Sequence, residues 1–125
     1  MTLYNLIKPP GLRVEQSALA LAVKKIVDTL AQNNLVHGDL RSNNLFVYVN
    51  SDGAALLTDG SVLAKAIDFD WSGESGKVTY PLLRNSELRW HAKVGDAIVV
   101  GHDEALVKDW WSTMFPGEVF PSTIA

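Results

Sequence analysis

Hydrophobic and polar positions follow two different periods along this chain. From Ser17 to about Gln32, the residues Leu19, Val23, Ile26, Val27 and Leu30 recur at spacings of three and four, which predicts a helix with one apolar face. Ala18, Ala20 and Ala22 raise its propensity, and Gln32-Asn33-Asn34 ends it. The same period returns from Asp103 to Met114, with Leu106, Val107, Trp110, Trp111 and Met114 on one side, and Phe115-Pro116-Gly117 stops it. Between these segments the pattern is that of strands. "LFVYV" at 45–49 is β-branched and aromatic, Asn50 to Gly53 is a turn, a second Asp-Gly sits at 59–60, and "SVLAKAIDF" suits a buried strand ending near Asp68. The expectation is a hairpin, 45–49 against roughly 62–67, with an elaborated tip.

The remaining segments are less regular. "KPPG" at 8–11 reads as a turn, "WSGESGK" at 71–77 as a loop and "VTYPL" at 78–82 as a short extended piece, while 84–101 has no clear period. The fold class is α+β, mainly helical, with one small hairpin. Residues 1–16 form a lead-in, 17–114 the core and 115–125 an irregular tail.

Composition narrows the function classes more than the fold. The chain's 125 residues suit one domain, and 47% hydrophobic with 20% charged residues is the balance of an ordinary folding chain. Net charge is −3 and the eleven Lys and Arg are scattered, so no basic stripe points to nucleic acid. Absence of cysteine excludes disulfides, thiol catalysis and thiolate zinc sites, and fits a reducing compartment. No apolar run is long enough for a membrane span, and no basic stretch followed by a hydrophobic one opens the chain. The expected address is intracellular, cytoplasmic or nuclear, with no membrane partner. All four tryptophans, Trp71, Trp90, Trp110 and Trp111, lie in the second half, as aromatic packing surface or as an interface.

The chemistry is concentrated in "HGDLRSNNLF", residues 37–46. Taken alone, His-Gly-Asp is a turn in which Gly38 supplies a positive φ and Asp39 satisfies backbone donors. Its company changes that reading. A helix precedes it, Asn44 follows Asp39 by five residues, and the hairpin then leads to Ile67-Asp68-Phe69-Asp70. A hairpin puts Asn44 before its first strand and Asp68 after its second, so two residues 24 apart in sequence can meet one ion. Matching His, Gly, Asp, Leu and Asn at fixed positions has a chance frequency on the order of one in a million per start site.

This order of motifs resembles the catalytic lobe of the protein-kinase superfamily, where His-Arg-Asp with Asn five beyond the Asp precedes a hairpin and an Asp-Phe-Gly. "IDFDWSGESGKVTYP", with "HD" opening a later helix, is most similar to the fungal-type protein-kinase domains, over roughly 17–114. The resemblance implies ATP and Mg as cofactors. Asp39 would be the carboxylate that receives the proton of the attacking hydroxyl, Arg41 a cation for the transferring phosphate, and Asn44 and Asp68 the metal-binding oxygens that also fix the nucleotide. His37 would pack beneath the loop and bond backbone, and Phe69 would be core. Asp103 reads first as an N-cap of the last helix. The alternative is that it resembles the buried aspartate that fastens the kinase catalytic loop from below.

Departures shape the functional expectation. Gly38 replaces the Arg that pairs with a phosphorylated activation loop, and His-Gly-Asp is usual in kinases of small molecules such as aminoglycosides and choline. Asp70 replaces the Gly of Asp-Phe-Gly, and the 29-residue step from Asp39 to Asp68 is long. The chain carries no glycine-rich phosphate loop, strand Lys or pairing helix Glu, and "MTLYNLIKP" resembles the hinge that follows a small lobe. The expectation is a single partial kinase-like domain, a large lobe without its small lobe and cut short at its far end. It would be a phosphotransferase lobe for protein Ser/Thr hydroxyls, nearly inactive alone and inclined to self-association or a protein partner. The alternatives are a small-molecule phosphotransferase and a noncatalytic pseudokinase-like binding module.

Overall fold

The computed structural model describes residues 1–6, 15–81, 90 and 92–121. The turn expected at 8–11, much of the unassigned stretch between 84 and 91, and the last four residues lie outside the described residues. Within them, three helices, α1 (Leu3–Leu6), α2 (Gln16–Gln32) and α3 (His102–Met114), accompany six short strands. These are β1 (Leu35–Val36), β2 (Leu45–Val47), β3 (Leu57–Thr58), β4 (Ser61–Val62), β5 (Ala64–Ala66) and β6 (Gly73–Glu74). They pair as three antiparallel two-stranded sheets, β1 with β6, β2 with β5 and β3 with β4. The architecture is mixed, of the α+β class.

α2 follows its apolar period. Ala18, Leu19, Ala22, Val23 and Val27 are buried, whereas Leu21 on the far side is 56% exposed. The helix stops because Asn34 takes a left-handed φ of 55°, which a short amide side chain tolerates, and the Asn33 amide donates to the Thr29 carbonyl at 2.7 Å. The chain turns at once into β1.

The hairpin forms in the expected place with shorter strands. Leu45 pairs with Ala66, Phe46 with Lys65 and Val47 with Ala64. Beyond Val47 the tip branches: Val49 bridges Ala55, and β3 and β4 make a second hairpin around Asp59 and Gly60, whose φ values of 52° and 79° fit a tight turn matched to strand twist. Alternation along β2 buries Leu45 and Val47 and turns Phe46 and Tyr48 outward, with the Lys65 ammonium over both rings. The other edge of β2 is covered by the start of the chain, since Val47 N–H donates to the Met1 carbonyl at 2.7 Å and Thr2 bridges Phe46. α1 follows, with Leu3 and Leu6 buried.

One core joins these parts. Leu3, Leu19, Val23, Leu40, Leu45, Val47, Val107 and Trp111 belong to a single buried cluster to which α1, α2, the hairpin and α3 all contribute. A smaller cluster of Val36, Tyr80 and Ile98 takes in Trp71 and Trp90. The tryptophans are therefore used as packing surface. Trp71 and Trp90 lie 5.5 Å apart ring to ring, and Trp111 meets Phe115 at 4.6 Å. Among the described residues, Trp111 Nε1 is the one buried side-chain N or O atom that lacks a hydrogen-bond partner.

Residues 71–77, expected as a loop, contain β6, which pairs Gly73 with Val36 and Glu74 with Leu35. Two residues are too few to show alternation. The pairing also needs a glycine, because a Cβ on Gly73 would stand 2.4 Å from Val78 Cγ1. Among the described residues no helix is long and apolar enough to cross a membrane.

The two faces of α2 give a direct test. Leu19→Ala, at a position 1% exposed, should cost about 2–5 kcal/mol, whereas Leu21→Ala should stay within about 0.5 kcal/mol, both read from urea unfolding curves.

Candidate active site

The loop from His37 to Asn44 leaves β1, runs beneath the hairpin and enters β2 through a single 3-10 turn at Ser42–Asn44. Its backbone is held from α3. The Asp103 carboxylate accepts from His37 N–H at 2.7 Å through Oδ2 and from Gly38 N–H at 2.9 Å through Oδ1, and all three residues are buried. The expectation that Asp103 caps the last helix is corrected by this geometry. Gly101, with φ of 104° and no side chain to cap with, holds the N-cap position. Asp103 sits in the first turn, where the helix dipole favours a carboxylate, and its oxygens go to two loop amides that burial would otherwise leave unpaired. Trp110, two turns further along the same face of α3, adds a second tie by donating Nε1–H to the Leu40 carbonyl at 2.9 Å. In sequence it showed only as one more apolar residue of the stripe.

His37 is fully buried and its tautomer follows from its neighbours. Asp39 N–H donates to Nδ1 at 3.2 Å, so Nδ1 carries the lone pair and Nε2 the proton, which it donates to the Ile67 carbonyl at 2.8 Å. The ring thus links the loop to the end of β5. Gly38 is required for two reasons: its φ is 91°, and a Cβ would lie 3.0 Å from both Ile98 Cδ1 and Trp71 Cβ.

Asp39, Arg41 and Asn44 meet directly. Arg41 donates through Nε to Asp39 Oδ1 at 2.5 Å and through Nη2 to Oδ2 at 3.0 Å, a bidentate pair. Asn44 Nδ2 donates to the Asp39 carbonyl at 2.7 Å and to Oδ2 at 3.1 Å. Both carboxylate oxygens are engaged. With its nitrogen turned to Asp39, the Asn44 amide keeps Oδ1 as an acceptor.

Asp68 arrives from the other strand. Ile67 N–H donates to the Asn44 carbonyl at 2.8 Å, which extends the β2–β5 ladder by one step and sets Asp68 immediately past Asn44's partner. It takes a φ of 57°, a left-handed angle that Asp tolerates better than most residues with a side chain and that Asn34 and Asp59 share. Its side chain is exposed, and among the described residues no hydrogen bond or ion pair engages it. Phe69, expected in the core, is 50% exposed, with its ring tilted against His37 at 5.0 Å. A short loop after β5 is too near the surface to bury it.

The donors available here are hard oxygens: a carboxylate, a carboxamide and a second carboxylate already paired to a cation. Among the described residues no three His, Cys, Asp or Glu side chains converge as a ready-made metal cage. No protein-family profile, curated protein or solved structure matches the chain.

The Asp103 tie and the Gly38 packing make separate predictions. Asp103→Ala should cost about 1–3 kcal/mol for each amide it strands, and should raise amide exchange at His37 and Gly38 before it affects α2. Gly38→Ala should lose more than about 1 kcal/mol in a urea titration, since both the backbone angle and the space oppose a methyl group.

Proposed function

We propose that this chain is a kinase-like phosphotransferase lobe, most similar to the fungal-type protein-kinase domains, acting from ATP onto protein Ser or Thr hydroxyls. The observation that carries the reading is the joint placement of Asp39 and Asn44 in one hydrogen-bonded cluster with Asp68 one ladder step away. Phosphoryl transfer is largely a matter of positioning and of neutralising charge, so a buried, rigid loop that presents a carboxylate beside oxygen donors is what the chemistry requires.

Within that reading, Asp39 orients the attacking hydroxyl and takes up its proton, and Asn44 holds the Asp39 carboxylate and its own backbone in place. Asn44 Oδ1 and the Asp68 carboxylate would hold magnesium. The fit is good in chemistry, hard oxygens for a hard cation, and two protein ligands suffice for an ion that keeps water and phosphate in its remaining positions. The metal, when bound, supplies neutralisation of the nucleotide phosphates. Arg41 provides a cation beside the transferring group. Gly38 favours a second reading, the same chemistry on a small-molecule hydroxyl, because the tight contact with Ile98 and Trp71 excludes the Arg found in phosphorylation-controlled protein kinases.

The sequence shows no glycine-rich phosphate loop followed by a phosphate-pairing Lys, and Lys65 on β5 lies over Phe46 and Tyr48 instead, so turnover by these residues alone should be near background. Nucleotide binding is the sharper measurement. Calorimetric titration with Mg-ATP should give saturable binding that weakens at least about tenfold in Asp68→Asn or on chelation of magnesium. Binding that ignores both changes would sink the phosphotransferase reading and leave a noncatalytic binding module.

A further inference from the structure

The bidentate pair between Arg41 and Asp39 has a consequence for the order of events at the site. A carboxylate whose Oδ1 accepts from Nε and whose Oδ2 accepts from Nη2 and from Asn44 Nδ2 has three of its about four acceptor sites directed at donors, and the guanidinium lies across both oxygens. It is poorly placed to receive a further hydrogen bond from a hydroxyl. The Arg41 side chain is 25% exposed and that of Asp39 13% exposed, so the pair sits at the rim of the loop with the guanidinium on its outer side. Asn44, by contrast, is buried and fixed by two bonds to Asp39. Of the three, Arg41 is the group with room to leave.

We propose that Arg41 is an anion-operated latch on Asp39: a phosphoanion displaces the Asp39 carboxylate from the guanidinium and thereby frees it to accept a hydroxyl. The planar fork of Arg matches a phosphate as well as a carboxylate, and a multiply charged phosphoanion attracts it more strongly than a single carboxylate does. Arg41 has five N–H donors, and among the described residues only Nε and Nη2 are used, so an incoming anion can dock on the Nη1 side before the Asp39 contact breaks. Arg41 acts here as a positioning residue, and its role in timing the base rests on the phosphotransferase reading. The exchange of anions on Arg41 does not.

The test uses the full chain and inorganic pyrophosphate, at fixed ionic strength with a chelator present so that no metal takes part. The Arg41 Nε–H resonance of the unmodified chain should shift on titration as its acceptor changes from carboxylate to phosphate. Asp39→Asn should bind pyrophosphate about tenfold more tightly, because a neutral amide competes weakly for the fork. Arg41→Gln should bind about tenfold more weakly than the unmodified chain. The gain from Asp39→Asn should vanish when it is combined with Arg41→Gln, which separates a shared contact from a simple change of net charge. If the gain persists in the double variant, or if Asp39→Asn and the unmodified chain bind alike, the latch is wrong. Thermal unfolding curves of each variant identify any that has lost its fold, and Arg41→Lys then replaces Arg41→Gln with the same expected direction. Magnesium-dependent ATP binding that relies on Asp68 stands or falls separately, since pyrophosphate without metal does not use it.

Discussion

Two backbone amides in a buried loop need acceptors, and one carboxylate supplies both. Asp103, from the first turn of α3, takes the N–H groups of His37 and Gly38 at 2.7 and 2.9 Å. Much of the rest follows from that tie. It fixes where α3 enters the core, so that Val107 and Trp111 meet Leu19, Leu40 and Leu45, and it orients the peptide planes from which the His37 ring and the Asp39 side chain project. A low-dielectric surrounding strengthens these bonds and makes their loss expensive. The loop is therefore part of the core rather than a surface connection.

From this fixed base the site is assembled by relays. His37 passes the constraint to the far strand through Ile67, and Asn44 passes it to Asp39 and, through its carbonyl, to Ile67 again. Asp39 and Asp68 are thus set at the same open end of one hairpin, Asp68 by backbone bonds alone and Asp39 by Asn44, which holds both its carbonyl and one carboxylate oxygen. This division suits the proposed chemistry: Asp68 keeps both carboxylate oxygens for other uses, and Asp39 gains a free Oδ1 once Arg41 lets go while Oδ2 stays on Asn44.

Regular elements were legible in the sequence in proportion to their length. α2 and α3 run for several turns, and their apolar stripes place their boundaries within a residue of Ser17–Gln32 and Asp103–Met114. The β2–β5 hairpin was legible through β-branched residues and Asp-Gly turns, although its tip took pairing from both strands and left three residues in each. β1 and β6 were not legible, since a two-residue strand has no period and the close approach of Val78 that calls for a glycine at 73 is a tertiary contact. Phe69 was misplaced for a related reason: hydrophobicity favours burial but does not show that the loop carrying it stays at the surface.

The sequence by itself determined the candidate site, because Asp39, Arg41, Asn44 and Asp68 lie at fixed offsets around a hairpin that local preferences are sufficient to form. It also determined that Gly38 is a turn glycine. Only the tertiary structure decided the role of Asp103, since a carboxylate near a helix start can cap its own helix or reach another segment, and the choice rests on whether a loop 66 residues earlier brings unpaired amides to it. The pairing of Asp39 with Arg41 was likewise decided in three dimensions, by the rotamers that let the Arg41 fork fold back onto it. Local sequence sets which partners are possible. Packing, which is long-range and shared among many residues, selects the ones that meet.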